Sequence, residues 1–401
     1  MRLFLFTNNF PYGLGETFLA NEAPFLSAKF DEIVFIPLYK DNEIRTLPKN
    51  SQLWETLLDF CPKNRKKLLL KGIFNLSPLF RFLPELFEEK VYLNGKHFWN
   101  YGTSLLLFRA IFSKKTVWEK LFSQIKKEDK LYFYWGDKSA LIIPFLKKHI
   151  DNQVFVRFHG SDLYQHANNG YIPFRKYLFP KIDFFVPISQ DGKEYLLQNY
   201  SKIITLEKIY VSRLGVSDNG INFAQETKFH LFSCSNVISV KRIDLIISAL
   251  QQISFPLKWT HTGAGVLFDQ IKEKAKHLPA NVEVEFKGAV KNAQVIDFYR
   301  NTHVDLFINV SESEGVPVSI MEALSFGAPV MATDVGGTAE IVDNQVGKLL
   351  PKDVSASEIA AEITLFANSD LSELRKNARA RWDERCNAEK NYTDFVELIT
   401  K

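Results

Sequence analysis

The chain has 401 residues, of which 46% are hydrophobic and 24% charged, with a net charge of +4. These values are typical of a soluble globular protein with about two domains. No uninterrupted apolar run reaches the ~18 residues of a membrane-spanning helix. The three cysteines lie far apart and form no metal-ligand pattern, so we expect reduced thiols in a cytoplasmic protein.

Strand and helix signals alternate along the first half of the chain. Residues 1–6 are apolar but too short for a signal peptide, so they indicate the start of a buried strand. A long basic region, expected to be helical, extends to about residue 127. Apolar and amphipathic runs predict strands at 3–7, 33–38, 131–135, 154–158, 184–187 and 209–213, and helices at 17–30 and 140–148.

The second half repeats this alternation. It predicts a helix at 243–251 and strands at 229–233, 257–262, 282–287, 304–310 and 329–334. Two α/β domains, each with a doubly wound parallel sheet, follow from the pattern. The polar, turn-rich residues 214–225 indicate a linker. We therefore expect domains at 1–215 and 216–385, and an amphipathic helix within 386–401.

Residues 61–130 are unusually basic. They hold 15 Lys and Arg against 6 Asp and Glu, and aromatic side chains such as Phe98, Trp99 and Trp118 are interleaved with them. This mixture suits interfacial helices on an anionic bilayer. The alternative is a set of ordinary helices that pack by their apolar faces and expose lysines. Nucleic acid is not expected as a partner, because no recognised binding motif accompanies the charge.

The most informative block runs from residue 304 to residue 335. An apolar strand leads into the polar loop 311–315, then a helix start, then a second strand. Pro317 is expected in the first helical turn. Glu314 lies in the loop and Glu322 on the helix. Ligands of open α/β sheets bind at the carboxyl ends of strands, and amides at a helix start favour an anion.

The two glutamates lie within S-E-G-x-P-x-S-x-x-E-A. This motif resembles the signature of retaining GT-B glycosyltransferases of family four, the group similar to glycogen synthase and sucrose synthase. The resemblance implies two Rossmann-like domains that face a cleft, with a last helix that crosses back to the first domain. It also implies a nucleotide diphosphate sugar as donor, no cofactor and no essential metal. The alternative reading is two solvated carboxylates near a helix start.

The resemblance also assigns roles within this block. Glu314 is implied to lie under the donor sugar as a catalytic residue, and Glu322 to bind the ribose hydroxyls. The remaining donor-binding positions of the motif are Gly315, Val316, Pro317, Val318 and Ser319. The amides of Val316, Val318 and Ser319 would neutralise the leaving diphosphate.

Two motifs of the first half match the same family. Gly13, Gly15 and Glu16 follow the first strand and open a helix, and the resemblance places this loop around the donor phosphate and the acceptor, facing the cleft. A tight strand–helix turn is the alternative. His159, in R-x-H-G-x-D, is implied to contact the donor sugar near the reaction centre as a second catalytic candidate. Elsewhere a lone histidine is more often a structural residue.

The loop after the first strand of the second half departs from the family pattern. Lys241 stands where the family has a diphosphate-binding lysine, but Asn236 stands where an arginine is expected. Arg242 is adjacent and could supply the missing charge, although its side chain would point elsewhere. A solvated Lys-Arg pair is the alternative. No Asp-x-Asp occurs in the chain, which argues against a metal-dependent nucleotide-sugar site.

Together these features predict a retaining, metal-independent glycosyltransferase that acts in cell-surface polysaccharide or glycolipid assembly. Its expected partners are a nucleotide-sugar donor, a lipid-linked or saccharide acceptor, and the anionic inner face of the membrane. Two alternatives stay open. One is a nucleotide-sugar epimerase, which would convert its donor without an acceptor. The other is a non-catalytic GT-B partner subunit, which Asn236 keeps in consideration.

Overall fold

The computed structural model describes residues 1–13, 15–73, 79–221 and 228–401. The chain divides into two compact units, of which unit 1 comprises Met1–Ser212 with Tyr392–Lys401, and unit 2 comprises Arg213–Asn391. The sequence places the same divisions a few residues away, at 215/216 and 385/386. Part of the expected linker, residues 222–227, lies outside the described residues.

Unit 1 is built on a six-stranded parallel sheet. Its strands are β1 Arg2–Thr7, β2 Glu32–Pro37, β3 Ser51–Leu53, β4 Lys130–Phe133, β5 Val154–Phe158 and β6 Phe184–Pro187. They lie in the order β3-β2-β1-β4-β5-β6. In β1, Phe4 and Phe6 pack into one core while Leu3 and Leu5 pack into another, because alternate side chains point to opposite faces. Burial on both faces explains why this strand is apolar throughout.

Helices cover both faces of this sheet. They are α1 Thr17–Ser27, α2 Arg65–Ile73, α3 Leu79–Glu88, α4 Gly95–Phe112, α5 Lys115–Gln124, α6 Ile143–Leu146, α7 Arg175–Leu178 and α8 Gln190–Tyr200. The basic region 61–130 therefore holds four helices, with residues 74–78 outside the described part. No helix among the described residues is both long enough and apolar enough to cross a bilayer.

Unit 2 repeats the architecture. Its strands are β7 Phe229–Cys234, β8 Leu257–Thr262, β9 Val282–Gly288, β10 Leu306–Asn309, β11 Val330–Thr333 and β12 Gly347–Leu350, in the order β12-β11-β10-β7-β8-β9. Its helices are α9 Ile243–Leu250, α10 Phe268–Ala275, α11 Asn292–Asn301, α12 Val318–Ser325, α13 Ala356–Ala367 and α14 Ser372–Arg381. The last helix, α15 Ala388–Thr400, ends within the part of the chain that belongs to unit 1.

Each sheet has one topological switch point, where chain order reverses. It lies between β1 and β4 in unit 1, and between β7 and β10 in unit 2. The loops that leave these strands diverge to opposite faces of the sheet and leave a crevice between them, which is where open α/β sheets bind ligands. The motifs with Gly13, Lys241 and Glu314 all lie on such loops.

Two predicted elements need correction, and two strands were missed. Residues 209–213 are not a regular strand: Ile209 makes an isolated parallel bridge with Phe185, and the amides of Tyr210 and Ser212 donate to the carbonyls of Phe185 and Pro187. The helix expected at 140–148 is a 3₁₀ turn, Lys138–Ile142, followed by the short α6. Strands β3 and β12 were not predicted, because each is short and lies at a sheet edge with a single neighbour.

A buried ion pair crosses unit 1. Arg157 and Glu22 are both fully buried, with 3.2 Å between Arg157 Nη2 and Glu22 Oε2. The hydroxyl of Tyr132 donates to Glu22 at 2.9 Å and accepts from Arg157 Nε at 2.5 Å. The guanidinium also lies 4.4 Å from the ring centre of Phe395. Glu22 and Arg157 thus satisfy each other where neither could stay charged alone.

Candidate functional site

The loop after β10 is held in shape by its own polar side chains. Asn309 Oδ1 accepts hydrogen bonds from the amide and the hydroxyl of Ser311, at 3.1 and 2.7 Å. The hydroxyl of Thr333, on the neighbouring β11, donates to the carbonyl of Ser311. Asn309 Nδ2 also donates to Glu314 Oε1 at 3.2 Å. The loop therefore fixes the Glu314 carboxylate. Asn309 was missed in the sequence, although its position at the end of a strand is a usable signal.

Lys241 and Glu314 form an ion pair at the switch point of unit 2. Lys241 lies in the 3₁₀ turn Ser239–Lys241 after β7, and its Nζ is 2.5 Å from Glu314 Oε1. Their side chains are 20% and 11% exposed, so the pair is partly shielded from water. The amide of Glu312 donates to the carbonyl of Val240 at 2.8 Å, which ties the two loops together. A cation and an anion thus stand side by side where a ligand would bind.

Backbone amides at the start of α12 face the same loop region. The prediction that Pro317 occupies the first helical turn is wrong by one residue: Pro317 is the extended N-cap, and the helix begins at Val318. In the described part of the chain, the amides of Val316, Val318 and Ser319 have no protein acceptor within hydrogen-bond distance. They therefore remain available to an anionic ligand, as at other helix N-termini.

A second loop supports the one that carries Glu314. The amide of Gly337 donates to the carbonyl of Gly315 at 2.7 Å. Gly336 has φ +54°, and a Cβ there would come within 2.1 Å of the Glu314 carbonyl oxygen. Only glycine permits this approach. No sequence pattern indicated that residues 336 and 337 contact Glu314 and Gly315.

Glu322 is the buried carboxylate of the site. It is 5% exposed and accepts one hydrogen bond, from Asn292 Nδ2 at 2.5 Å. Burial raises the pKa of Glu322 to about 7, and the Asn292 amide opposes the shift. Its second oxygen has no partner among the described protein groups, which leaves it free for a hydroxyl donor. Asn292, at the start of α11, carried no sequence signal of this role.

Arg242 does not replace the arginine that is missing at Asn236, which corrects its assignment to the donor site. Arg242 adopts a left-handed conformation with φ +47°. Its guanidinium donates to the carbonyls of Val310 and Lys352, at 2.6 and 2.8 Å. Because these bonds hold it against the backbone, Lys241 is the cation that the loop offers to a ligand.

The loop after β1 contains a second correction. Glu16, expected to bind the donor, is 7% exposed, and its carboxylate accepts from the amides of Asn8, Asn9 and Phe10. The indole of Trp135 donates to it as well, at 2.6 Å. These four bonds occupy the carboxylate, so Glu16 shapes the loop and does not present a charge to a ligand.

The geometry of this loop requires a glycine at position 13. Gly13 has φ +68°, and a Cβ there would lie 2.9 Å from the side chains of Asn9 and Asp41. The carbonyl of Gly15 accepts from Arg45 Nη2 at 2.5 Å. Leu14, between them, lies outside the described residues. Gly13 and Gly15 stay predicted ligand positions, with the turn itself as a sufficient structural reason for Gly13.

His159 follows β5 in an aromatic enclosure. Its ring centre is 4.2 Å from that of Trp135 and 5.3 Å from that of Phe18. Both ring nitrogens are buried, and neither has a hydrogen-bond partner in the described part of the chain. Nδ1 lies 3.9 Å from Asp162 Oδ2, beyond hydrogen-bond distance. Two unsatisfied nitrogens in an ordered site are costly, and they are what a polar ligand group would satisfy.

Asp162 holds the loops after β4 and β5 together. Its two oxygens accept from the amides of His159 and Gly136, both at 2.6 Å. Burial alone would raise the pKa of Asp162, but His159, these amides and Arg175 outweigh it, so the pKa falls below its usual value. Asp162 therefore stays charged and acts as a positioning residue.

Two doubly wound, six-stranded parallel sheets, each with charged or glycine-rich loops at its switch point, define the GT-B class of α/β fold. Residues 218–385, most of unit 2, match the family described as glycosyl transferases group 1. The match is confined to that region, which is less than half of the chain. The matched part contains Lys241, Asn292, Glu314 and Glu322.

Two named glycosyltransferases are similar to this chain over more of its length than the family model matches. WcaL of Escherichia coli, named a colanic acid biosynthesis glycosyltransferase, is 27% identical over 62% of this chain. This match covers 64% of WcaL, a little under two thirds of that relative's length. AmsK of Erwinia amylovora, named an amylovoran biosynthesis glycosyltransferase, is 24% identical over 80% of each chain.

Solved structures of similar proteins share the whole fold. HepE of Anabaena, solved in complex with UDP and glucose, superposes with a TM-score of 0.68 at 15% identity and covers 99% of each chain. The lipopolysaccharide outer core galactosyltransferase WaaB gives the same TM-score at 14% identity and 99% coverage. At these identities the likeness establishes the fold only, and the chemistry rests on the residues described above.

Proposed function

We propose that the protein is a retaining glycosyltransferase that moves a sugar from a nucleoside diphosphate sugar to a hydroxyl of a growing polysaccharide or glycolipid. The observation that carries this proposal is the Lys241–Glu314 ion pair on loops next to the start of α12, where the amides of Val316, Val318 and Ser319 have no acceptor among the described residues. A diphosphate suits the amides and Lys241, and a sugar hydroxyl suits Glu314. The names of WcaL and AmsK support a biosynthetic role in polysaccharide assembly.

Different groups of unit 2 bind successive parts of the donor molecule. Glu322 accepts hydrogen bonds from the ribose hydroxyls, while Lys241 turns from Glu314 to the diphosphate. The amides of Val316, Val318 and Ser319 and the Lys241 ammonium stabilise the charge that develops as the bond from the anomeric carbon to the diphosphate breaks. Preorganised donors of this kind contribute roughly 3 kcal/mol each to transition-state stabilisation.

Glu314 acts on the sugar side of the same bond. Its carboxylate holds the sugar hydroxyls and favours positive charge at the anomeric carbon. The acceptor oxygen then bonds to that carbon from the side that the diphosphate leaves, and its proton passes to a diphosphate oxygen. Because the acceptor oxygen enters on the face that the diphosphate leaves, the configuration at the anomeric carbon is retained. Lys241 and the amides supply the positive charge, so we propose that no metal ion is needed.

We propose UDP as the nucleotide carrier. HepE was solved with UDP and glucose, and the related GtfA subunit of Streptococcus pneumoniae, 26% identical over 46% of this chain, is named a UDP-N-acetylglucosamine transferase. The buried Glu322 recognises ribose, which is common to all nucleotide carriers, so the choice of base rests on these proteins.

The direct test follows UDP release from UDP-glucose and UDP-N-acetylglucosamine in the presence of a chelator. We expect turnover in the wild type and a loss of at least ~100-fold in Glu314→Ala, with nucleotide affinity retained. Undiminished turnover in Glu314→Ala would refute its role. Conversion of the donor sugar into another sugar nucleotide, without transfer, would favour the epimerase.

Unit 1 exposes an unusual concentration of large apolar side chains, which an acceptor held at a membrane would explain. Of the fourteen large apolar side chains that the described residues expose, eight lie between residues 69 and 99, on α2, α3, α4 and the turn before α4. They include Phe87, Leu93 and Phe98. Lysines 66, 67, 90 and 96 are exposed around them. Exposed aromatic residues among lysines fit the interface of an anionic bilayer, so we propose that this surface binds the inner face of the membrane.

Vesicle sedimentation tests the membrane surface. The protein should pellet with vesicles of phosphatidylglycerol and phosphatidylcholine at low salt, and less in 0.5 M salt, where charges are screened beyond roughly 4 Å. Phe98→Ser with Leu93→Ser should abolish pelleting. Val266→Ser, which removes an 89% exposed apolar side chain from unit 2, is the control. Equal pelleting with neutral vesicles, or none at all, would contradict the proposal.

A further inference from the structure

A polar pocket opens in unit 1 beside the switch point of its sheet. One wall is a stripe of α4 that carries Asn100, Thr103 and Ser104, three side chains that helical spacing places on one face. The opposite wall is the turn after β4, with Asp137 and Lys138. We call this cavity the α4 pocket.

The inner face of α4 changes character along its length. Asn100, Thr103 and Ser104 are half-buried, whereas Leu107 and Ile111, on the same stripe further along, are buried in the core. A helix face that points inward is normally apolar throughout, because buried polar groups need partners. Asn100 donates to the carbonyl of Asn168, and Thr103 donates to the carbonyls of Trp99 and Asn100. A ligand in the cavity would therefore meet a polar helix face whose side chains the protein already holds in position.

Asp137 lines the same pocket, and its side chain is 31% exposed. One of its oxygens, Oδ1, is buried and has no hydrogen-bond partner among the described residues. Its nearest cation is Lys138, with 3.8 Å between Lys138 Nζ and Asp137 Oδ2. Lys138 itself has φ +38°, a left-handed conformation that is unfavourable outside glycine. Such strain in a pocket wall is typical of ligand sites.

The position of Asp137 is fixed by close packing behind it. A Cβ at Gly136 would lie 2.1 Å from the ring of Phe158, so only glycine lets this turn approach β5. The amide of Gly136 donates to Asp162, which also holds the amide of His159. The pocket therefore begins two residues from Trp135, whose ring covers His159.

The chemistry of the walls indicates the ligand class. The described charges, Asp137 and Lys138, cancel, which disfavours a strongly anionic or cationic ligand. Amide and hydroxyl side chains line one wall, and Leu107, Leu141 and Pro173 provide apolar surface. This combination matches a sugar ring, whose hydroxyls need hydrogen bonds and whose C–H face packs on apolar side chains.

We propose that the α4 pocket binds a neutral saccharide of the acceptor, with Asp137 accepting hydrogen bonds from two neighbouring hydroxyls and thereby selecting which sugar is extended. This inference rests on the proposed function. Asp137 is then a specificity residue that takes no part in the bond-breaking step. Unit 1 recognises the acceptor sugar, while the donor groups belong to unit 2.

Ligand-observed saturation-transfer NMR tests the proposal, with the methyl α-glycosides of glucose, galactose and N-acetylglucosamine as probes. UDP is present in excess to occupy the nucleotide site, and a glycoside signal that falls in Asp137→Asn, a change in unit 1, reports on the α4 pocket. At least one glycoside should bind to the wild type. Its affinity should fall about tenfold or more in Asp137→Asn, because a charge-assisted hydrogen-bond acceptor is lost. Asp297→Asn, which removes an exposed carboxylate from α11, should bind like the wild type.

A second variant guards against misfolding. Ser104→Ala removes only a hydroxyl from the opposite wall, and it should weaken binding of the same glycoside. If no glycoside binds while UDP still stabilises the protein, or if both variants bind like the wild type, the pocket proposal is overturned and the proposed function stands. If neither UDP nor any glycoside binds, both fail.

Discussion

At the scale of single residues, burial gives Glu322 a property that can be measured without a substrate. Its pKa rises from 4.5 to about 7 in the folded protein because its charged form is desolvated. Between these values the folded state holds a proton that the unfolded chain has lost. The carboxylate therefore costs stability as pH rises, with no cost below pH ~4.5 and the full cost above pH ~7.

Glu322→Gln should remove this cost. The variant should gain stability over the wild type as pH rises from about 5 to about 8, approaching ~3 kcal/mol, since each pKa unit corresponds to roughly 1.4 kcal/mol. Urea unfolding at both pH values gives the comparison, and other titrating groups cancel between the two proteins. A difference that stays constant with pH would show that Glu322 is not the titrating group.

At the same scale, the positions of some residues could be predicted and those of others could not. The spacing of Glu314, Glu322 and Lys241 along strand, loop and helix predicted where they lie, and their roles stay predictions. Glu16 and Arg242 were placed in the donor site, but both point into the protein. Each adopts a left-handed conformation, with φ of +53° and +47°. A non-glycine residue rarely does so. The position of Arg242, one residue beyond Lys241, already indicated that its side chain points elsewhere, whereas no sequence pattern indicated this for Glu16.

At the scale of elements, the site depends on two loops that touch. Gly336→Ala should force the loop after β11 away from the Glu314 carbonyl, because the added Cβ would lie 2.1 Å from that oxygen. We expect a loss of more than ~2 kcal/mol in stability, or a displaced Glu314 with turnover reduced at least ~10-fold. Thermal unfolding and UDP release measure the two effects.

Gly220→Ala is the matched control for this prediction. Gly220 also has a left-handed φ, of +81°, but a Cβ there would meet no described residue within 4 Å. The control thus carries the backbone strain of alanine without the clash. If Gly336→Ala and Gly220→Ala cost the same stability and leave turnover equal, contact between the loops is not what fixes Glu314.

Elements were predicted from the sequence to the extent that they are buried on both sides. Strands such as β1 and β10 are apolar throughout, because helices cover both faces of their sheets. The short edge strands β3 and β12 carry no such run. The segment after residue 208 has β-branched residues but a single neighbouring strand, so pattern alone could not show that it is not a regular strand.

At the scale of the whole molecule, residues 392–401 belong to the same compact unit as residues 1–212. Phe395 on α15 is 1% exposed and lies against Arg157 and Tyr132 in unit 1. Phe395→Ala should destabilise that unit by roughly 3 kcal/mol or more, through a cavity beside a buried ion pair. Leu365→Ala, which truncates a 61% exposed side chain in unit 2, should change stability little.

Calorimetric unfolding measures both variants. We expect the Phe395→Ala protein to retain its response to UDP, since the nucleotide groups lie in unit 2. Equal transition temperatures for Phe395→Ala and the wild type would show that the end of α15 does not support the Arg157–Glu22 pair. Both units repeat one plan, and the alternation of strands and helices was sufficient to predict it.

The central claim is that unit 2 binds a nucleoside diphosphate through Glu322 and the groups around Lys241. Thermal unfolding with UDP, GDP or ADP tests it most directly, with Glu322→Ala and, as control, Glu273→Ala, which removes an exposed carboxylate on α10. At a hundredfold excess over Kd, a bound nucleotide stabilises the native state by about 2.7 kcal/mol. We predict that UDP stabilises the wild type and Glu273→Ala but not Glu322→Ala. Stabilisation by no nucleotide, or equally in all three proteins, would contradict the account.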